Sequence, residues 1–416
     1  MSKGACETSC VVSVSTSWRG RVVSRAWTHW ATSKDLHSLR APGYDAGTGL
    51  SGRALGVCSR GKEFVFDPFD AYNASLVTNP NVIISGSIGS GKSTVTKMML
   101  DRALERGRKV VVIDPKGEYG ELAQKYGVKA ISLGADGWCN PFPEDEGETK
   151  ELLRAILASA QGSALDAELH YVINETYVGL EQPRPQRVLF AMYRLVEKYL
   201  NVSTPSAHRT LALLLHRFVL GDLAGLFDGS LPPLVFKGQL VILDLSKQWS
   251  ANSLSVAALS AVAAAQQVVA TQGELGYLVI DEAWALLSDE HALRWLQGSW
   301  KLARARGLSH VLVLHRWSDV TTAGDQGTSQ RERALGLLRE CEAAFLFRQP
   351  PDEAKEMGVA LNLHRNEERL LIELAKGTMI ARYGRHRSIV KICPDNRDIA
   401  FIDTDKAMRT ISSTIQ

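Results

Sequence analysis

Gly86-Ser87-Ile88-Gly89-Ser90-Gly91-Lys92-Ser93 has the spacing G-x-x-x-x-G-K-[ST], and it stands between an apolar run, Asn81-Val82-Ile83-Ile84, and a helix-like run from Thr94 to Arg106. The glycines let the backbone turn so that successive N–H groups face a triphosphate, and the positive end of the following helix adds to that field. In such a loop Lys92 reaches the β- and γ-phosphates and the Ser93 hydroxyl ligates Mg2+. A glycine-rich turn needs neither a strand before it nor a helix after it, and here both are present. Phosphate binding is therefore expected of Gly86, Ser87, Ile88, Gly89, Ser90, Gly91, Lys92, Ser93 and Thr94.

Further along, Lys109-Val110-Val111-Val112-Ile113-Asp114-Pro115 is a continuous apolar run of the kind found in a parallel strand covered on both faces. Gln239 to Leu245, Tyr277 to Asp281 and His310 to Leu314 share that character, and Ala343 to Phe347 makes a sixth strand. Strands separated by helical stretches imply right-handed crossovers and a mostly parallel sheet in an α/β fold. Between Glu148 and Leu231 the strand signal stops. Helix-period segments replace it at 149–160, 165–178, 186–200 and 207–220, punctuated by Pro183, Pro185 and Pro205 and closed by Pro232-Pro233. This predicts an all-α insertion between the second and third strands. Ahead of the loop, Arg53 to Tyr72 predicts a small β element, with Gly61-Lys62 in a hairpin turn. At the other end, Thr378–Tyr383 and Ser388–Ile392 predict a hairpin with a basic tip at Gly384-Arg385-His386-Arg387. The expected divisions are 1–75 (basic arm and β element), 76–147 (first core part), 148–235 (helical insertion) and 236–416 (second core part and hairpin).

The 416 residues exceed one ordinary compact core, and 45% hydrophobic with 22% charged residues is a globular composition. Net charge is only +3, so overall charge does not announce a nucleic-acid binder. It is unevenly placed, however: residues 1–60 hold eight Lys/Arg against Glu7, Asp35 and Asp45, or +5, which leaves −2 for the rest. Trp18, Trp27 and Trp30 share that stretch, which suits a membrane surface, nucleic acid, or simply an arm with a few packed rings. A signal peptide is not expected, since the early apolar patch Val11-Val12-Ser13-Val14 is too short, nor is a transmembrane helix, since the apolar stretch Ser255 to Ala270 is Ala-rich and interrupted by Gln266-Gln267. The six cysteines lack metal spacing, so reduced thiols and the cytoplasm are expected.

Nucleotide hydrolysis needs a metal partner and a group that positions water. Tyr277-Leu278-Val279-Ile280-Asp281-Glu282 supplies both at a strand end: Asp281 to hold Mg2+ and Glu282 to act as general base. The same pair also suits plain capping of a following helix.

Three ordered motifs now carry a resemblance. Asp114-Pro115-Lys116-Gly117-Glu118-Tyr119, then Asn140-Pro141-Phe142, then Asp281-Glu282-Ala283-Trp284-Ala285-Leu286-Leu287 resemble the HerA–FtsK superfamily. Within it they are most similar to the TraC-like ATPases of conjugative and type IV secretion systems. The resemblance runs from about Phe64 to the C-terminus. It implies a RecA-like core working as a ring, usually a hexamer, with ATP and Mg2+ bound between subunits. Implied partners are secretion-channel or coupling proteins at the inner face of the membrane, and a DNA or nucleoprotein substrate.

The chain departs from the family in two places. Where members place a Thr-Gln sensor after the strand that follows the acidic pair, Leu312-Val313-Leu314 runs into His315-Arg316. His315 can bond the γ-phosphate or its water, or only a nearby backbone carbonyl. The stretch before the loop is also far shorter than the long N-terminal domain of many secretion ATPases. A ring motor further needs a cation on the transferring phosphoryl group, and Arg304, Arg306 and Arg348 are the candidates. Asp114 and Glu118 either shape the site or cap the helix at Tyr119. The function expected is that of an ATP-hydrolysing motor powering transfer or pilus assembly. A DNA-translocating pump is the first alternative, with Arg382, Arg385 and Arg387 keeping it open, and a nucleotide-gated assembly protein with little hydrolysis is the second.

Overall fold

The computed structural model describes residues 47–181, 187–227, 238–248, 250–272, 275–303, 305–321 and 329–402. Expectations that rested on the basic arm with its three tryptophans, on Pro183, Pro185, Pro232 and Pro233, and on Arg304 lie outside the described residues. The strands are β1 (Gly56–Cys58), β2 (Glu63–Phe64), β3 (Val82–Ser85), β4 (Lys109–Asp114), β5 (Ile131–Ser132), β6 (Leu240–Asp244), β7 (Gly276–Ile280), β8 (Leu308–Leu314), β9 (Ala343–Leu346), β10 (Thr378–Tyr383) and β11 (His386–Ile392). They form one sheet in the order β2-β1-β11-β10-β9-β3-β8-β7-β4-β6-β5.

From β9 to β5 every neighbour is parallel, with Ser85 of β3 level with Leu314 of β8 and Leu346 of β9. The all-apolar reading of these strands follows from burial on both faces. Val82, Ile84, Val110 and Val112 point into one apolar layer with the helix Lys92–Glu105, while Ile83, Val111 and Ile113 point into the other with the helix Ala251–Gln272. Each fully buried Val or Ile contributes roughly 1.5–3 kcal/mol, so the two layers dominate the stability of the core.

β1 and β2 are not a separate unit ahead of the core. β1 pairs antiparallel with β11, and β10 pairs antiparallel with β9, so both predicted hairpins extend the main sheet. Phe64 and Phe66 seat this junction, with ring centroids 6.0 and 5.2 Å from Phe345. Gly384, at φ +55, takes the first turn position between Tyr383 and His386. Helices Glu146–Gln161, Ala167–Val178, Val188–Val196 and Ala207–Val219 stand between β5 and β6, three of them started by the side chains of Asp145, Asp166 and Ser206. Their apolar faces share a layer with the sheet. The short β5 was not anticipated, since two residues carry no periodicity.

The helix Lys92–Glu105 is gripped from behind. Asp398, fully buried, accepts from Arg102 at 2.7 and 2.9 Å and pairs with Arg53, which also reaches Asp101 at 2.6 Å. No helix among the described residues is long and apolar enough to cross a membrane.

Candidate active site

The phosphate loop leaves β3 at the C-terminal end of the parallel sheet, where open α/β folds place their ligands. Its ends are pinned by neighbouring strands: Gly86 N–H donates to Leu314 O (3.3 Å) and Ser87 N–H to Arg348 O (2.9 Å). Gly377 N–H donates to Ser90 O (2.9 Å), which ties the loop to the approach to β10. Gly89 (φ +74) and Gly91 (φ +120) adopt backbone that side chains disfavour, so the loop needs glycine there. Gln349 is buried and donates to the Ser85 hydroxyl at 3.1 Å, holding the end of β9 to the end of β3.

Several features fit an anion in this loop. The helix Lys92–Glu105 begins with no side-chain cap, leaving its first amides directed at the loop. The Ser87 and Ser90 hydroxyls are buried without a hydrogen-bond partner. Lys92, 3% exposed, spends its ammonium on the loop's own carbonyls, Gly86 O at 2.6 Å and Ser87 O at 3.0 Å. Burial lowers its pKa to about 8. A buried ammonium held only by carbonyls gains most from a phosphate. Ser93 and Thr94 open the helix and are half-buried, and Ile88 is exposed at the loop's tip.

Asp281 and Glu282 follow β7, both buried, beside the loop. Burial, with Glu282 next to it, lifts Asp281 to about 6, so a cation would relieve it. Two buried carboxylates and an imidazole, from Asp281, Glu282 and His315, lie within 4.8 Å of one another. A second buried ammonium, Lys97, lies over the ring of the fully buried Tyr119, with its pKa lowered by desolvation.

Glu282 is a non-glycine residue at φ +51, a conformation that costs about 1–3 kcal/mol and persists only when the surroundings impose it. They do so through three side chains. Trp284 Nε1 donates to Oε2 at 2.8 Å, His315 Nε2 lies 2.6 Å from Oε1, and the Lys116 ammonium pairs with that same Oε1. Burial alone would raise the Glu282 pKa, but His315 and Lys116 outweigh it and hold the carboxyl down at about 2. His315 thus faces a carboxylate and an ammonium, not the backbone carbonyl that was its other expected partner. Lys116 Nζ is also 2.9 Å from His315 Nε2.

Asp114 does not enter the cleft. Its Oδ1 accepts from the amides of Lys116, Gly117 and Glu118 at 3.2, 2.8 and 3.1 Å, and its Oδ2 from Tyr119 at 3.0 Å. It is a loop cap, the second of its two expected roles. Lys116, Trp284 and Gln349 are the residues that motif reading left without a role at the site.

The protein family described as "Helicase HerA, central domain" matches residues 75–177. Over 84% of this chain and 98% of the other, the fold is similar to VirB4 of Thermoanaerobacter pseudethanolicus, with 22% identity and a TM-score of 0.73. The plasmid coupling protein TrwB, in complex with the non-hydrolysable ATP analogue ADPNP, is similar over 84% of this chain and 92% of its own, with 16% identity and a TM-score of 0.53. Among curated proteins none matches the sequence.

The fold is shared with these two structures. Within this core the candidate arginines separate. Arg348 is exposed and its carbonyl touches the phosphate loop. Arg306 precedes β8, at the opposite end of the strands from the loop, and bonds Glu148 at 2.6 Å. It therefore stands outside its own chain's site, in a wall formed with Pro141, Leu152, Trp295 and Leu302.

Proposed function

We propose that this chain is an ATP-hydrolysing motor of a conjugative transfer or type IV secretion system. The observation that carries the reading is one cleft at the C-terminal ends of the parallel strands, holding both the anion-ready loop and the buried pair Asp281 and Glu282. The likeness to VirB4 over nearly the whole of that chain supports it.

The loop amides and Lys92 bind the β- and γ-phosphates of ATP. Ser93 and Asp281 would hold Mg2+, which supplies charge neutralisation on the phosphates when bound. Glu282 accepts a proton from the attacking water, once its carboxylate is free to face it. The exposed Arg348 serves the transferring group from its own or a neighbouring subunit in a ring, a hexamer in our reading. Channel or coupling proteins at the inner face of the membrane are the partners, and a protein or nucleoprotein is moved.

The likeness to TrwB favours one second reading, a DNA-translocating pump. ATPase rates of wild type and Glu282→Gln, with and without single- and double-stranded DNA across salt, separate the readings while oligomeric state is followed. DNA-independent turnover that rises with assembly and falls about 100-fold or more in Glu282→Gln supports the secretion motor. Stimulation by DNA that declines steeply with salt moves the protein to the pump. An assembled ring without turnover leaves a nucleotide-gated assembly protein.

A further inference from the structure

The Lys116 side chain has a fixed base and a movable tip. Its backbone N–H is one of the four held by Asp114, while its side chain is 40% exposed. The tip meets two groups far away in sequence but on neighbouring strands, Glu282 after β7 and His315 after β8. Glu282 has little other freedom. Its backbone is in the left-handed region, its N–H donates to Asp281 Oδ1 at 2.9 Å, and its second carboxylate oxygen is held by Trp284.

A carboxylate oxygen shared between an ammonium and an imidazole is a poor proton acceptor, so one of the two must leave before Glu282 can serve as base. Lys116 is the more exposed of the two, since the His315 side chain is 16% exposed. The Lys116 end of the pair is the one open to solvent, 40% exposed against 7% for Glu282, so the ammonium can change partners without being stranded in the interior. The same ammonium lies within the field of Lys92 and lines a cleft with Ile88 of the loop. A terminal phosphate placed there offers Lys116 a stronger, multiply charged partner.

We propose that Lys116 is a positioning residue that acts through Glu282. It holds the carboxylate against His315 until a γ-phosphate draws the ammonium away, and ADP, which lacks that group, leaves the hold in place. This rests on the nucleotide-binding reading above.

Trp284 reports on the hold, because its indole N–H is bonded to Glu282. The full chain would be labelled with fluorotryptophan and the Trp284 fluorine resonance assigned by its loss in Trp284→Phe. Spectra would be taken alone, with Mg2+ and ADP, and with Mg2+ and a non-hydrolysable ATP analogue. In wild type the resonance is expected to move with the analogue and to stay with ADP. In Lys116→Met it should be displaced without nucleotide and show no further response to the analogue, while ADP affinity stays within about threefold of wild type. Lys116→Arg should restore the contrast.

An analogue response in Lys116→Met equal to wild type overturns the proposal. So does a wild type that binds both nucleotides yet shows no contrast between them, an outcome independent of any variant's folding. A wild type that binds neither nucleotide overturns the nucleotide-binding reading itself, and this inference with it.

Discussion

Phe347 lies against Gly86 so closely that a Cβ on the glycine would come 2.4 Å from the Phe347 Cβ and 2.9 Å from the Ser90 Oγ. The first residue of the phosphate loop is thus set by the strand that precedes Arg348. Overpacking at such a point costs about 1–3 kcal/mol. Gly86→Ala should weaken nucleotide binding by about tenfold or more, read by titration with a fluorescent nucleotide. Gly298→Ala, where nothing lies within 4 Å of the added carbon, should leave that affinity unchanged.

Asp114 holds four amides with two oxygens. Asp114→Asn keeps one acceptor and turns a donor toward a held N–H, a loss of about 1–3 kcal/mol. Urea unfolding should register that loss. Turnover should fall more than ADP affinity, because the loop that carries Lys116 loosens while the phosphate loop stays intact.

Asp398 neutralises Arg102 and Arg53 in a buried setting. Burial opposes its charge, but the arginines prevail and its pKa is lowered. A depressed carboxylate pKa stabilises the fold above the unfolded value near 3.8, and that stability is lost as pH falls through the lower folded value. Asp398→Ala leaves the buried Arg102 without its close carboxylate, while Arg53 keeps Asp101, and should cost about 3–5 kcal/mol at neutral pH. The same unfolding experiment at pH 7 checks it.

His310 is fully buried, stacked on Trp300 at 4.0 Å, and burial depresses its pKa from 6.5 to about 3. Between those values the unfolded chain binds a proton that the folded chain does not. His310 should therefore make stability fall by about 1.4 kcal/mol per pH unit below pH 6.5. His310→Phe, which keeps a ring against Trp300, should remove one proton from the measured slope. An unchanged slope between pH 7 and pH 5 would refute this assignment.

Local pattern announced what local physics controls. The phosphate loop, the acidic pair and the parallel strands each follow from a few adjacent residues whose spacing suits one backbone. Trp284 shares its motif with Glu282, but the other two partners of Glu282 do not follow from any such run. Lys116 and His315 are 199 residues apart in sequence, and Gln349 and Ser85 are 264 apart. They meet only because strand order places β4, β7 and β8, and separately β9 and β3, side by side. The merging of β1 with β11 was hidden for the same reason, since each hairpin reads as complete by itself. Arg306 shows the converse: its position after the acidic pair did not reveal that the strand it precedes carries it to the far end of the sheet from its own chain's loop.

The grip on the helix Lys92–Glu105 by Arg53 from one side of the chain and Asp398 from the other fastens both ends of the described chain to one rod. It is the common anchor of two segments remote in sequence, so tension applied to either is delivered to the rod whose first turn carries Lys92 and Ser93.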